Sequence, residues 1–329
     1  MLSSKANFLG DKLNLYGDTI MRIVLALGGN ALLARGQALT AENQRDNIRK
    51  AAASIASIAK DNEIIIVHGN GPQVGLLMEQ NAAYQEYSPE TTPYPMDVLG
   101  SQTCGMVGYM LQQELRNIDT ELSVATLITQ TVVSREDSAF ANPTKFVGPV
   151  YTKESATEIM QTSDKIFKED GQYYRRVVPS PKPTDIVELK QIETLVKADN
   201  VVIACGGGGV PVCFENGTSS GVECVIDKDL TAELLAEKIN ADLFIILTDG
   251  SVYKNYGKED QAEMRRATPA GLSEFNFPAG SMGPKIDAVC QFVNSGRGNA
   301  AIGSLFELDK IIVNEAGTLI TQGEGIIYY

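Results

Sequence analysis

The sequence has no tryptophan and, in 329 residues, one histidine, His68. Its five cysteines (Cys104, Cys205, Cys213, Cys224, Cys290) are odd in number, and none stands in C-x-x-C spacing. These shortages exclude the usual zinc frameworks. They point instead to buried thiols in a reducing compartment, the cytoplasm. A serine or cysteine hydrolase would have only His68 as its base, and His68 directly precedes Gly69, where it reads as a positioned turn residue. No run of 18 apolar residues occurs, so no membrane span is expected, and residues 1–20 lack a signal-peptide core. Positive charge is also scarce. Lys and Arg number 28 against 41 Asp and Glu, a net charge of −13. That balance lacks the basic footprint a nucleic-acid backbone requires, yet a few local lysines suffice for a small anion.

What is present is a repeated alternation of strand, glycine-rich turn and helix. Short apolar runs at 23–27, 64–67, 124–128, 201–204, 243–247 and 300–302 read as buried strands. Between the first two, Ile48, Ala51, Ala52, Ile55, Ile58 and Ala59 fall at helical spacing after Thr40, a suitable cap. Continuous apolar strands separated by helices predict a three-layer α/β/α sandwich with a mainly parallel sheet covered on both faces. The folded unit is expected over 21–329, with 1–20 as an N-terminal extension. Residues 131–180 break the rhythm: they are proline-bearing and formally neutral, with seven basic and seven acidic residues. An insertion of that length between core strands is expected to form a small lid subdomain.

Four glycine-rich turns follow or adjoin strands: Gly28-Gly29-Asn30, Gly69-Asn70-Gly71, Gly206 to Gly209, and Gly280-Ser281-Met282-Gly283. At the carboxyl ends of parallel strands, such turns let backbone N–H groups approach an anion. No P-loop is present, because Gly280 to Lys285 has the wrong spacing and Ile286 stands where a hydroxyl is needed. The glycine run resembles a dinucleotide turn only in part, since Pro211 occupies a position that should be glycine. Three lysines complete the pattern. Lys285 follows Pro284 near a predicted helix start, where a cation opposes the helix dipole unless an anion is close. Lys228 lies in Asp227-Lys228-Asp229, ahead of a helix that either aspartate could cap, and Lys145 lies in the insertion. Point-charge lysines and backbone cradles suit phosphoryl transfer, which needs alignment and charge stabilisation more than a nucleophile.

Gly28 to Leu33, His68 to Gly75, Asn142-Pro143-Thr144-Lys145, Tyr174 to Pro181, the four-glycine run, Val225 to Asp229 and Gly280 to Lys285 resemble, in order and spacing, the carbamate kinases of the amino-acid kinase superfamily. The resemblance extends from Met21 to the C-terminus. It implies a homodimeric enzyme with a mainly parallel, eight-stranded sheet. It also implies exchange of a phosphoryl group between carbamoyl phosphate and ADP, giving ATP and carbamate, with Mg2+ carried by the nucleotide and no protein-bound metal. On this chain Lys145, Lys228 and Lys285 would stabilise the transferring group, and Asp229 would orient lysines. Gly28, Gly29, Asn30, Gly69, Asn70 and Gly71 would hold the carbamoyl phosphate side. Gly206, Asp249, Tyr253, Ser281 and Met282 would hold the nucleotide, and the insertion would cover the substrate. The sequence departs from the family pattern at Phe146-Val147-Gly148, where Pro-Ile-Gly is usual, and at Gly250-Ser251, where the loop to Val252-Tyr253 is one residue shorter. Three other readings stand beside this one: a paralogue acting on a larger carboxylate, a non-catalytic nucleotide sensor, and a dinucleotide-dependent oxidoreductase.

Overall fold

The computed structural model describes residues 19–34, 36–278 and 281–329. Most of the expected extension, residues 1–18, therefore lies outside the described residues, as does Gly280. The apolar run after Met21 forms the strand Arg22–Leu27, which is flanked by Leu243–Thr248 on one side and Glu63–His68 on the other, both parallel to it. Ile23 lies opposite both Leu243 and Ile64. Outward from this centre the sheet continues through Asn200–Ile203 to Ser123–Thr126, and through Asn299–Ser304 to Thr318–Ile320 and Ala262–Ala267. Among the described residues it has ten strands. The count exceeds the expected eight by two short edge pieces, Tyr253–Lys254 and Ile326–Tyr328, each antiparallel to Ala262–Ala267. Pieces of two and three residues carry no periodicity from which a sequence could announce them.

Alternate side chains of the central strands enter different cores, because successive residues in a strand point to opposite faces. Val24, Ala26, Ile65, Val67, Phe244 and Ile246 pack on one face with Leu235, Val289 and Phe292, which lie on the helices Lys228–Lys238 and Met282–Asn294. Ile23, Leu25, Ile64, Ile66 and Ile245 pack on the other face with Ile48 and Ile55 of Ala41–Ala59 and Val107 and Leu111 of Met96–Ile118. This two-sided burial explains why the strands read as unbroken apolar runs, and it makes the fold a three-layer α/β/α sandwich with a mainly parallel sheet. Thr40 caps the helix Ala41–Ala59, its hydroxyl accepting from the Asn43 N–H at 3.1 Å.

Two smaller sheets flank this sandwich. One is four-stranded and joins Gln130–Val133 and Pro183–Ile186 to the hairpin Val210–Glu215 and Thr218–Gly221. The other is three-stranded and antiparallel, built from Lys145–Tyr151, Ile166–Asp170 and Tyr173–Val178, with the helix Lys153–Thr162 between its first two strands. The segment Glu223–Asp227 runs beside this inserted sheet and engages it with alternate residues. Glu223 pairs with Arg176 at 3.2 Å, and the Val225 N–H donates to the Pro179 carbonyl at 3.1 Å. The Val225 side chain packs against the small cluster of Met96, Val147 and Val178. A second seam lies at Gly75, where a Cβ would stand 3.2 Å from the Cα of Gly148, so the helix Gln73–Tyr87 meets the inserted sheet backbone to backbone.

Candidate functional site

The carboxyl ends of Arg22–Leu27, Glu63–His68 and Leu243–Thr248 open into a cleft of about 1950 Å³, which the inserted sheet borders on its other side. Ligands of open α/β sheets bind in this place, because the strand ends deliver loops and helix N-termini to a common point. Gly28, Gly29, Gly69, Asn70 and Gly71 line the cleft. They are tightly fitted: a Cβ on Gly28 would lie 3.2 Å from the Leu247 carbonyl oxygen, and one on Gly29 would lie 3.3 Å from that of Asn70. Gln73, itself buried, donates to the Asn70 Oδ1 at 3.4 Å and so orients that side chain. The side chain of Asn30 lies outside what is described.

Lys228 and Lys285 lie in the first turns of two core helices and meet on one carboxylate. The Lys285 Nζ donates to the Asp229 Oδ2 at 2.9 Å, and the Lys228 Nζ donates to Oδ1 of the same residue. Asp229 is buried, with a side chain only 5% exposed, and the lysine side chains are 12% and 18% exposed. Burial pushes the Lys228 ammonium below the usual lysine range; the charge on Lys285 adds to that effect and Asp229 opposes it. The aliphatic stem of Lys228 crosses Gly69, where a Cβ would stand 3.0 Å from the lysine Cδ. Glycine at 69 therefore sets where this lysine can lie. The clash between a lysine and a helix N-terminus, expected at Lys285, is met within the chain by Asp229.

Lys145 reaches the same cleft from the inserted sheet, its Nζ 2.7 Å from the Asp227 Oδ2. The other oxygen of Asp227 caps the helix Lys228–Lys238 by accepting from the Asp229 N–H at 2.9 Å. Burial opposes ionisation of Asp227, but the attraction of Lys145, its hydrogen bond and the Asp229 N–H outweigh that effect, and the carboxyl titrates below its usual range. Three cations and two carboxylates thus stand together, leaving the cluster one positive charge. From the sequence Asp227 reads as a possible cap or as a carboxylate flanking Lys228, not as a partner of Lys145. Its partner Lys145 is 82 residues away, a distance no local pattern bridges.

The candidate nucleotide residues are less uniformly placed. Asp249 and Ser281 line the cleft, whereas Tyr253, Met282 and Gly206 do not. Tyr253 lies at the sheet edge against Tyr256, with ring centroids 5.7 Å apart, and Met282 packs on the core. Gly206 is buried under the floor, where a Cβ would collide with the His68 ring and where its carbonyl accepts from the Cys104 thiol at 2.8 Å. Gly207, Gly208 and Gly209 all have positive φ, and side chains there would strike Asn70, Ile226 and Thr131. Most of the glycine run therefore satisfies a crowded turn, and only Gly207 faces the cleft. His68 is fully buried, its Nδ1 2.8 Å from the Gly69 carbonyl, and burial pulls its pKa down to about 4. It stays neutral and supports the turn. Among the described residues, no group of three or more His, Cys, Asp or Glu is placed to hold a metal, and no helix is long and apolar enough to cross a membrane. The insertion also brings Thr144, Phe146, Arg175 and Ser180 to the cleft, and Lys182 joins them from just beyond it. In the sequence Thr144, Arg175 and Ser180 are legible as parts of motifs and Phe146 as a departure from the family pattern, whereas Lys182 belongs to no motif.

Residues 21–304 match the amino acid kinase family. A carbamate kinase of Haemophilus influenzae is 50% identical over 313 residues, covering 94% of this chain and 100% of that protein. A carbamate kinase of Rhizobium meliloti is 50% identical over 307 residues, covering 92% of this chain and 94% of that protein. Among solved structures, carbamate kinase from Giardia lamblia bound to AMP-PNP superimposes with a TM-score of 0.86 at 37% identity, covering 93% of this chain and 100% of the other.

Proposed function

The chain belongs to the amino acid kinase family, and on that premise we propose that its cleft moves a phosphoryl group between carbamoyl phosphate and ADP, giving carbamate and ATP. The observation that carries this reading is the meeting of Lys228 and Lys285 on Asp229, at strand ends lined by Gly28, Gly29, Gly69 and Gly71. A terminal oxygen of the ADP β-phosphate attacks phosphorus, the bond from phosphorus to the carbamoyl oxygen breaks, and its electron pair leaves on carbamate as a carboxylate. No proton has to move, so the chain needs no general base, which suits a cleft whose nearest histidine is buried and neutral.

In this reading the ammonium groups of Lys228 and Lys285 face the equatorial and bridging oxygens, where charge shifts during transfer. Asp229 holds both in place. The backbone N–H groups of 28–30 and 69–71 receive the carbamoyl phosphate side, and the region of Asp249 and Ser281 receives the nucleotide with its Mg2+. Lys145 completes the set from the inserted sheet, which serves as a lid subdomain over the substrate. A homodimer belongs to the same reading, as does a cytoplasmic setting, which the free thiols of all five cysteines suit. The test is a substrate panel with Mg2+ present and withheld. Carbamoyl phosphate with MgADP should give ATP, acyl phosphates of larger acids should give little, and omission of Mg2+ should stop turnover. ATP formation from a larger acyl phosphate and none from carbamoyl phosphate would reassign the substrate.

A further inference from the structure

The segment Glu223–Asp227 touches the inserted sheet at every second residue: Glu223 with Arg176, Val225 with Pro179, Val147 and Val178, and Asp227 with Lys145. Val147, Val225, Lys145 and Asp227 all line the cleft, and of these contacts only the last brings charged groups there. Asp227 is also the residue from which the helix bearing Lys228 and Asp229 starts, and its two oxygens are divided between two tasks. Oδ1 accepts from the Asp229 N–H at 2.9 Å, and Oδ2 accepts from the Lys145 Nζ at 2.7 Å. We propose that Asp227 is a positioning residue for the transfer, seating Lys145 of the inserted sheet against the same helix start that carries Lys228 and Asp229. The inference rests on the phosphotransferase reading and adds to it the group that registers the insertion with the core.

The physical argument is one of tethering. The Lys145 side chain is 38% exposed, and its four-carbon stem has many rotamers available when nothing holds the ammonium. Asp227 is only 18% exposed and is fixed by its own cap, so it presents a rigid acceptor. A charge-assisted bond between them converts a mobile cation into a placed one. The Asp227 carboxyl titrates below its usual range, so the bond persists at neutral pH. Misplacement of a reacting or stabilising group by about 1 Å costs on the order of a hundredfold in rate.

The test uses Asp227→Asn, because asparagine caps helices about as well as aspartate but carries no charge for Lys145. In the intact chain this variant should melt within about 2 °C of the parent. It should lower kcat roughly tenfold to a hundredfold with KM for ADP little changed. Amide exchange across 145–151 should accelerate. In a Lys145→Met background the same substitution should cost nothing further, since the two residues act as one unit. Asp227→Ala should add a loss of stability. An unchanged kcat, an equal penalty in both backgrounds, unchanged exchange at 145–151, or a melting point as low as that of Asp227→Ala would each overturn the proposal. If the parent enzyme makes no ATP, the functional reading fails, and exchange at 145–151 still decides whether Asp227 holds the strand.

Discussion

The two places where this chain holds lysines differ in construction. Lys228 and Lys285 lie in the first turns of two helices of one core layer, share a carboxylate that is 5% exposed, and are themselves 12% and 18% exposed. Those helices are linked again where Gln291 donates to Glu233 at 2.7 Å. Lys145 stands on an inserted antiparallel sheet, is 38% exposed, and has Asp227 as its partner. Coulomb attraction weakens as water gains access, so the core pair is held more strongly and the inserted lysine is more easily displaced. The fold therefore keeps its fixed positive charge in the sandwich and adds one adjustable charge from outside. That division suits a site that must admit two anionic substrates and then surround them.

Substitutions at the core pair should have the largest effect. Lys228→Ala should reduce kcat by about a thousandfold, the upper end of what one transition-state donor contributes, and Lys285→Ala by about a hundredfold or more. Steady-state ATP formation measures both, and a smaller effect at 228 than at 145 would reverse the ranking. Asp229→Ala leaves two buried cations without their shared partner, so stability should fall by about 3 kcal/mol as well as activity, read by denaturant unfolding. Lys145→Met should lower kcat by roughly tenfold to a hundredfold, with a smaller loss of stability than Asp229→Ala, because Asp227 loses one cation where Asp229 holds two. Gly69→Ala should cost less again, about threefold to tenfold in kcat, because the Lys228 stem can shift by a few tenths of an ångström to relieve a 3.0 Å contact.

The smallest expected effect tests the core without touching the chemistry. Glu233 is buried between the two lysine-bearing helices, one of its oxygens has no partner, and burial pushes its pKa from 4.5 to about 7, with Glu237 adding to the rise. The folded chain then binds a proton that the unfolded chain has released, so stability should fall as pH rises from about 4.5 to about 7 and stay at the lower level above that. Glu233→Gln should remove that slope and raise the melting temperature at pH 8 by a few degrees, with kcat unchanged. An unaltered melting profile would show that the helices are not coupled through this residue.

Much of this organisation is legible in the sequence, because strands buried on both faces and capped helices are local patterns. Arg22–Leu27, Glu63–His68 and Leu243–Thr248 each fall within a residue of the apolar runs that announce them. The glycine turns at 28 and 69 also lead correctly to the cleft. The run from Gly206 is different: it has the composition of an anion loop, but its positive φ values and close neighbours are consequences of tertiary packing. Gly206, Tyr253 and Met282, assigned to the nucleotide by resemblance, stand outside the cleft lining, where Tyr253 meets Tyr256 and Met282 meets the core, neighbours that spacing does not reveal. The pairing of Lys145 with Asp227, and the alternate-residue seam along Glu223–Asp227, join segments brought together only by the fold.

In the proposed reaction a carboxylate-held lysine pair at the strand ends stabilises the phosphoryl group passing between carbamoyl phosphate and ADP. The most direct measurement is ATP formation from carbamoyl phosphate and MgADP by the parent chain and by Lys228→Ala, each confirmed folded by its melting curve. The parent should sustain ATP formation, and the variant should fall by about a thousandfold. No ATP from the parent, or undiminished ATP from the variant, would contradict it.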